Sequence, residues 1–179
     1  SRLIALQSKI LLMDEPLSNL DTKLRTEMRA ELKRLHRELE ATTVYVTHDQ
    51  AEALTLSDIV VVMNEGLVMQ WGTPYDIYHN PQNLFVAEFI GDPRINFFKG
   101  KIINKEGHLK MDCNEIFLPL NKELPSNSGN VIASVRPESI SISYKENRDW
   151  LKVRLKSIQP TGANTILQAQ AGISEITLL

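Results

Sequence analysis

The chain has 179 residues, enough for one or two domains with a real core. Hydrophobic residues make up 42% and charged residues 23%, an ordinary globular balance. No apolar run approaches the ~18 residues of a membrane-spanning helix, so direct insertion by a helix is excluded and any membrane contact is expected through partner proteins. The first residues, Ser1-Arg2-Leu3-Ile4, have no signal-peptide layout. Net charge is −2, unevenly spread: residues 1–91 carry 8 basic against 13 acidic residues, and residues 92–179 carry 12 against 9. Neither half has the dense basic stripe of a nucleic-acid binder. The change of sign suggests two units. Cys113 is the only cysteine, so no internal disulfide can form, which suits a reducing cytoplasm.

In chain order, residues 10–13 (I-L-L-M) form an apolar run that reads as a buried strand, ended by Asp14-Glu15-Pro16. Over residues 21–40, apolar positions 24, 28, 32, 35 and 39 lay one stripe on a helix whose other face is charged. Residues 42–47 (T-T-V-Y-V-T) are β-branched and aromatic and read as a second strand. Strand, helix and strand so close together predict a βαβ unit with parallel strands. Thr47 to Gln50 resembles a capping box, predicting a short helix to about residue 56. Residues 59–63, 64–66 and 67–71 read as a hairpin. Thr73-Pro74 opens a short helix, and residues 83–90 form another, closed by Gly91.

After Gly91 the texture changes. Residues 92–94 read as a linker. Short β-rich runs follow at 98–103, 116–118, 131–135, 140–143, 151–158 and 165–169, with turn signals at 104–107 and 125–130. Many short strands without helices suggest a small barrel or sandwich. The last residues, Leu178-Leu179, look like part of a strand, which suggests truncation.

The strongest chemical signal is Asp14-Glu15 after the first apolar run. Two carboxylates at the carboxyl end of a parallel strand stand where open α/β sheets bind ligands. Phosphoryl transfer needs a metal on the phosphates and a group that orients water. Asp14 suits Mg²⁺, directly or through water, and Glu15 suits water activation. The same two residues are also how an ordinary acidic loop begins. The neighbouring strand ends in Thr47-His48-Asp49, so parallel pairing would bring His48 to the same edge, where an imidazole can donate to a phosphate or an oriented water. Taken alone, His48 is also a common kind of helix-start residue. His36, on the charged helix, reads as plain surface, and His79 and His108 have no ligand-like spacing, so no metal site is expected among them.

Several segments carry a family resemblance. ILLMDEPLSNLDTKLR resembles the Walker B motif and D-loop of ABC transporter ATPases, and YVTHDQAEALTLSD resembles their switch-histidine segment. VVVMNEGLVMQWGTPYDIYHNPQNLFVAEFIGDPRINFF is similar to the join between ATPase core and regulatory domain in the sugar-importer branch, the maltose-importer ATPase group. IASVRPESISI resembles that group's TOBE barrel. The resemblance implies an α/β fold: a partial P-loop NTPase parallel sheet with helices over residues 1–91, then an incomplete, small all-β TOBE-like or OB-like barrel domain over residues 95–179. It implies Glu15 as the catalytic carboxylate and His48 as the γ-phosphate switch. Asp14, Ser18 and Asp21 would be nucleotide-side residues, with Asp14 near Mg²⁺ through water and residues 18–21 in the D-loop. ATP and Mg²⁺ would be the cofactors. A second ATPase subunit, as a homodimer, and membrane permease subunits would be the partners. Location would be cytoplasmic, peripheral on the inner face of the cell membrane.

The departures are specific. No G-x-x-x-x-G-K-[ST] phosphate loop occurs, since only Gly100 precedes a lysine and Ile102 follows it. No two glycines adjoin, so the LSGGQ signature is missing, and with it the Q-loop that precedes it in the family. Residues 1–9 match poorly apart from Arg2. Trp71 stands where the family usually has a smaller apolar residue, through core packing or as a subgroup mark. The expected function is therefore a piece of the energy-coupling ATPase of an importer, carbohydrate by class, inactive alone and a poor binder of ATP. The alternative is a non-catalytic regulatory or ligand-binding module with an ATPase remnant. Apolar surface left by missing strands is expected to be exposed.

Overall fold

The computed structural model describes residues 9–39, 41–105, 108–113, 116–120, 129–145 and 150–179. The chain is mixed α/β and divides into two compact units, residues 1–86 and 87–179.

In the first unit, β1 (Ile10–Asp14) leads through a tight turn into α1 (Thr22–Leu39), which returns the chain to β2 (Thr42–Val46). β1 and β2 pair in parallel, Leu12 opposite Val44 and Asp14 opposite Val46. The periodicity over residues 21–40 thus yields one 18-residue helix, with Glu40 outside the described residues. Its stripe is only half covered: Met28, Leu32 and Leu35 are half-buried and Leu24 is exposed. Arg34 ties down the outer face through Glu31 and Glu38, both at 2.5 Å. Such exposed pairs contribute little.

α2 (Gln50–Leu56) starts differently from the sequence expectation. Asp49, rather than Thr47, is the N-cap, its carboxylate accepting from the Glu52 amide at 3.1 Å. Thr47 stands two residues before the cap, and its hydroxyl accepts from the Asp49 amide at 3.0 Å. β3 (Val60–Asn64) and β4 (Leu67–Gly72) form the expected hairpin. Its two turn residues, Glu65 and Gly66, have φ of +49° and +80°, the positive pair a type I′ turn needs. α3 (Pro74–His79) has Thr73 as N-cap and proline in its first turn, and α4 (Leu84–Phe89) spans the boundary between the units. Buried Gln70 is satisfied, donating to Asn80 O and accepting from the Gln82 amide.

The second unit is β-rich. Its four-stranded antiparallel sheet runs β7 (Phe117–Pro119), β6 (His108–Asp112), β5 (Asn96–Lys105), β8 (Asn130–Val135). A three-stranded antiparallel sheet runs β11 (Ser174–Leu178), β10 (Thr165–Ala171), β9 (Arg154–Pro160). One cluster joins both sheets, with Phe98, Met111, Cys113 and Ile116 meeting Ala169, Ala171, Ile176 and Leu178. Buried Asn96 links them by imitating a strand: its amide donates to Thr177 O at 2.8 Å and accepts from the Thr177 amide at 2.7 Å.

Two strand expectations change here, and one strand was not expected. The run at 140–143 is irregular, because Pro137 opens a 3₁₀ turn (Pro137–Ser139) and Ile140 caps it. The strand expected from residue 151 begins at Arg154. The strand at 108–112 escaped notice because its alternation sits among charged residues. Residues 106–107, within the turn expected at 104–107, lie outside the described residues, as do 125–128 of the turn expected at 125–130.

Much apolar surface is uncovered. On one face of the β1–β2 pair, Ile10, Leu12, Val44 and Val46 are 51–76% exposed. On the hairpin, Val61, Met63, Val68 and Trp71 are exposed, so Trp71 does not pack in a core. Burying one such side chain returns roughly 1.5–3 kcal/mol, and patches of this kind drive association. Light scattering of the pure chain should therefore show concentration-dependent oligomers, whereas a monodisperse monomer up to the solubility limit would contradict this.

Within the second unit, Gly100 lies so close to β6 that an added Cβ would sit 2.1 Å from Asp112 O. Gly100→Ala should destabilise this unit by about 1–3 kcal/mol, read as a lower urea midpoint with an unchanged slope.

Candidate active site

The register of β1 on β2 builds the site. Continuing past Asp14, the Glu15 amide donates to Val46 O at 2.9 Å. Glu15 then turns sharply, with φ of +44°, a left-handed conformation uncommon for a residue with a Cβ. Two bonds hold the turn: the Ser18 amide donates to Glu15 O at 3.2 Å, and the Ser18 hydroxyl donates to the same oxygen at 2.9 Å. Asp21 ends the turn by capping α1, its Oδ1 accepting from the Leu24 amide at 2.9 Å.

Two residues past the end of β2 stands His48. Its Nδ1 is 2.9 Å from Glu15 Oε1. The acidic pair and the imidazole thus share one edge of the two-stranded sheet, the carboxyl end of both strands. Asp14 occupies the last paired position and is exposed. Glu15 and His48 side chains are 44% and 74% exposed, so the edge is open to solvent. The carboxylate raises the His48 pKa, first by accepting a hydrogen bond and then by its charge.

Behind this edge lies a charged cluster. Glu52, buried, accepts from the Tyr45 hydroxyl at 2.9 Å and the Thr47 hydroxyl at 2.8 Å. Burial and the bond to Glu52 push the Tyr45 phenol upward, so it remains a donor. From α1, Arg29 reaches Asp49 at 2.7 Å and Arg25 reaches it at 3.6 Å. Sequence reasoning missed these residues. The available signal was a like-charged Arg25–Arg29 pair one helical turn apart, unfavourable unless an acid neutralises it.

No protein-family profile matches the chain. Individual relatives do. It is 50% identical over 147 residues to the ABC transporter ATP-binding protein YurJ of Bacillus subtilis (strain 168), covering 78% of this chain and 40% of YurJ. It is 42% identical over 180 residues to the oligosaccharides import ATP-binding protein MsmX of the same organism, covering 94% of this chain and 48% of MsmX. The sn-glycerol-3-phosphate import ATP-binding protein UgpC of Vibrio cholerae serotype O1 (strain ATCC 39315 / El Tor Inaba N16961) is 42% identical over 169 residues, covering 94% of this chain and 44% of UgpC. This chain belongs to the ABC transporter ATP-binding proteins. It spans less than half the length of these relatives.

ABC ATP-binding proteins use ATP with Mg²⁺, and the two halves of that ligand fit this chain unequally. Asp14 and Glu15 offer the hard carboxylate oxygens that Mg²⁺ takes. Among the described residues no group of three or more His, Cys, Asp or Glu could hold a metal. Water and phosphate oxygens would therefore fill the rest of the shell, as is usual for Mg²⁺ at nucleotide sites. The phosphates themselves find no G-x-x-x-x-G-K-[ST] loop in these 179 residues. Among the described residues no helix is long and apolar enough to cross a membrane.

The Glu15–His48 contact has a measurable signature. With the folded pKa raised, the pair contributes stability fully present below the ordinary histidine value of about 6.5, lost as pH rises through the raised value. An NMR titration should place His48 above that ordinary value, and Glu15→Gln should bring it back. A midpoint unmoved by Glu15→Gln would show that the two side chains do not pair.

Proposed function

We propose that this chain carries the Walker B, D-loop and switch-histidine part of the ATP-hydrolysing, energy-coupling subunit of an ABC importer. The observation that supports this most is the 2.9 Å contact of His48 with Glu15 at the carboxyl end of two parallel strands. In this reading Asp14 would hold Mg²⁺ through water, and the metal would neutralise phosphate charge. Glu15 orients and deprotonates the attacking water. Glu15 raises the His48 pKa, and when the ring is protonated, with Nδ1 facing Glu15, its Nε2–H is left to donate to the terminal phosphate. Ser18 and Asp21 shape the turn that meets a second copy of the subunit.

Residues 1–91 would be the ATPase part, a portion of a P-loop NTPase sheet, and residues 95–179 a TOBE-like regulatory domain. The partners would be a second ATPase subunit and membrane permease subunits, at the inner face of the cell membrane. The relatives' names point to oligosaccharides and to sn-glycerol-3-phosphate, so we assign the carbohydrate class. Lacking a phosphate loop, the 179 residues alone should not bind ATP well.

Two measurements test this. The pure chain should show no Mg²⁺-dependent ATP hydrolysis above background, and turnover by it would contradict the assignment. Joining a segment that carries a G-x-x-x-x-G-K-[ST] loop and an LSGGQ signature ahead of residue 10 should restore hydrolysis. In that chimera Glu15→Gln should lower kcat about 10²–10⁴-fold, and His48→Ala about 10²–10³-fold. A folded chimera without activity would instead favour a non-catalytic regulatory module.

A further inference from the structure

Arg25 makes contacts on two sides of the candidate site: hydrogen bonds on one and an ion pair on the other. Its Nη2 donates to Leu20 O at 2.9 Å and lies 3.5 Å from Ser18 O, both in the turn that begins at Glu15. Its Nη1 faces Asp49 Oδ2 at 3.6 Å, and Asp49 is the neighbour of His48. Glu15 and His48 then close the ring at 2.9 Å. The path runs from Glu15 through Ser18 to Arg25, on to Asp49 and His48, and back. Arg29 differs: it reaches Asp49 at 2.7 Å and Glu52 at 3.9 Å, both on the His48 side.

Placing Arg25 here has a cost. Its Nε is buried without a hydrogen-bond partner, and an unsatisfied buried donor is unfavourable. A planar fork can hold two acceptors at fixed separation, which a single ammonium cannot do. That geometry suits registering one segment against another.

We propose that Arg25 is a positioning residue that registers the turn at 15–20 against the His48 segment and so holds Glu15 and His48 together. This rests on the reading of Glu15 and His48 as the site. It adds that a conformational change in the turn is transmitted to His48 through one guanidinium.

The test needs no nucleotide, so its outcome is independent of whether the chain belongs to an active ATPase. In the full 179-residue chain with ¹⁵N-labelled histidine, long-range ¹H–¹⁵N spectra report which ring nitrogen of His48 carries the proton and bonds. Glu15→Gln defines the signature of an unpaired His48. Arg25→Gln and Arg25→Lys should both move the His48 signal toward that signature, and further than Arg29→Gln, whose contacts lie on the His48 side alone. In the Glu15→Gln background, Arg25→Gln should add no further shift. A folded Arg25→Gln variant with an unmoved His48 signal would overturn the proposal, as would an equal shift in both backgrounds. If Arg25→Gln does not fold, Arg25→Lys decides: it keeps the charge but not the planar fork, so a shift toward the Glu15→Gln signature supports the proposal and an unchanged signal sinks it.

Discussion

The parallel pairing of β1 with β2 is the constraint on which the site depends. Side chains alternate between faces with a period of two residues, so a slip of one residue would reverse every exposed and buried position. In the observed register Leu11 is buried while Leu12 is exposed, and the Glu15 amide still finds Val46 O beyond the last strand pair. That final bond delays the turn until Glu15 is level with His48. The left-handed φ at Glu15 then aims its carboxylate across to the neighbouring strand.

The edge so formed is electrostatically ordered from behind. Arg25 and Arg29 on α1 face Asp49 and, through Arg29, buried Glu52. Glu52 in turn holds Tyr45 and Thr47, the residues that lead into His48. Asp49 serves twice, as a counter-charge and as the cap of α2. The imidazole is therefore exposed, but its backbone is fixed on both sides. Open chemistry on a braced backbone is the usual arrangement for binding loops on rigid elements.

Much of this was legible in the sequence. The apolar run ending in Asp14-Glu15 and the β-branched run ending before His48 predicted two parallel strands meeting at one edge, and the structure has them paired. The hairpin was legible because Asn64-Glu65-Gly66 supplies a glycine where φ must be positive. The brace was not, because Arg25 and Arg29 lie on a face whose charge reads as solvated until Asp49 is placed against it. The second unit was least legible. Its strands are short and partly charged, Ile140 to Ser143 alternates like a strand yet follows a 3₁₀ turn, and Asn96 joins two sheets by a side chain that no periodicity marks.

The central claim is that the fold brings Glu15 and His48 into contact at the carboxyl end of β1 and β2. The most direct measurement is the set of nuclear Overhauser contacts in the folded chain. Cross-strand contacts between Leu12 and Val44, together with contacts from the Glu15 methylene protons to the His48 ring, are the predicted result. A register displaced by one residue, or a His48 ring with no contact to Glu15, would contradict the account.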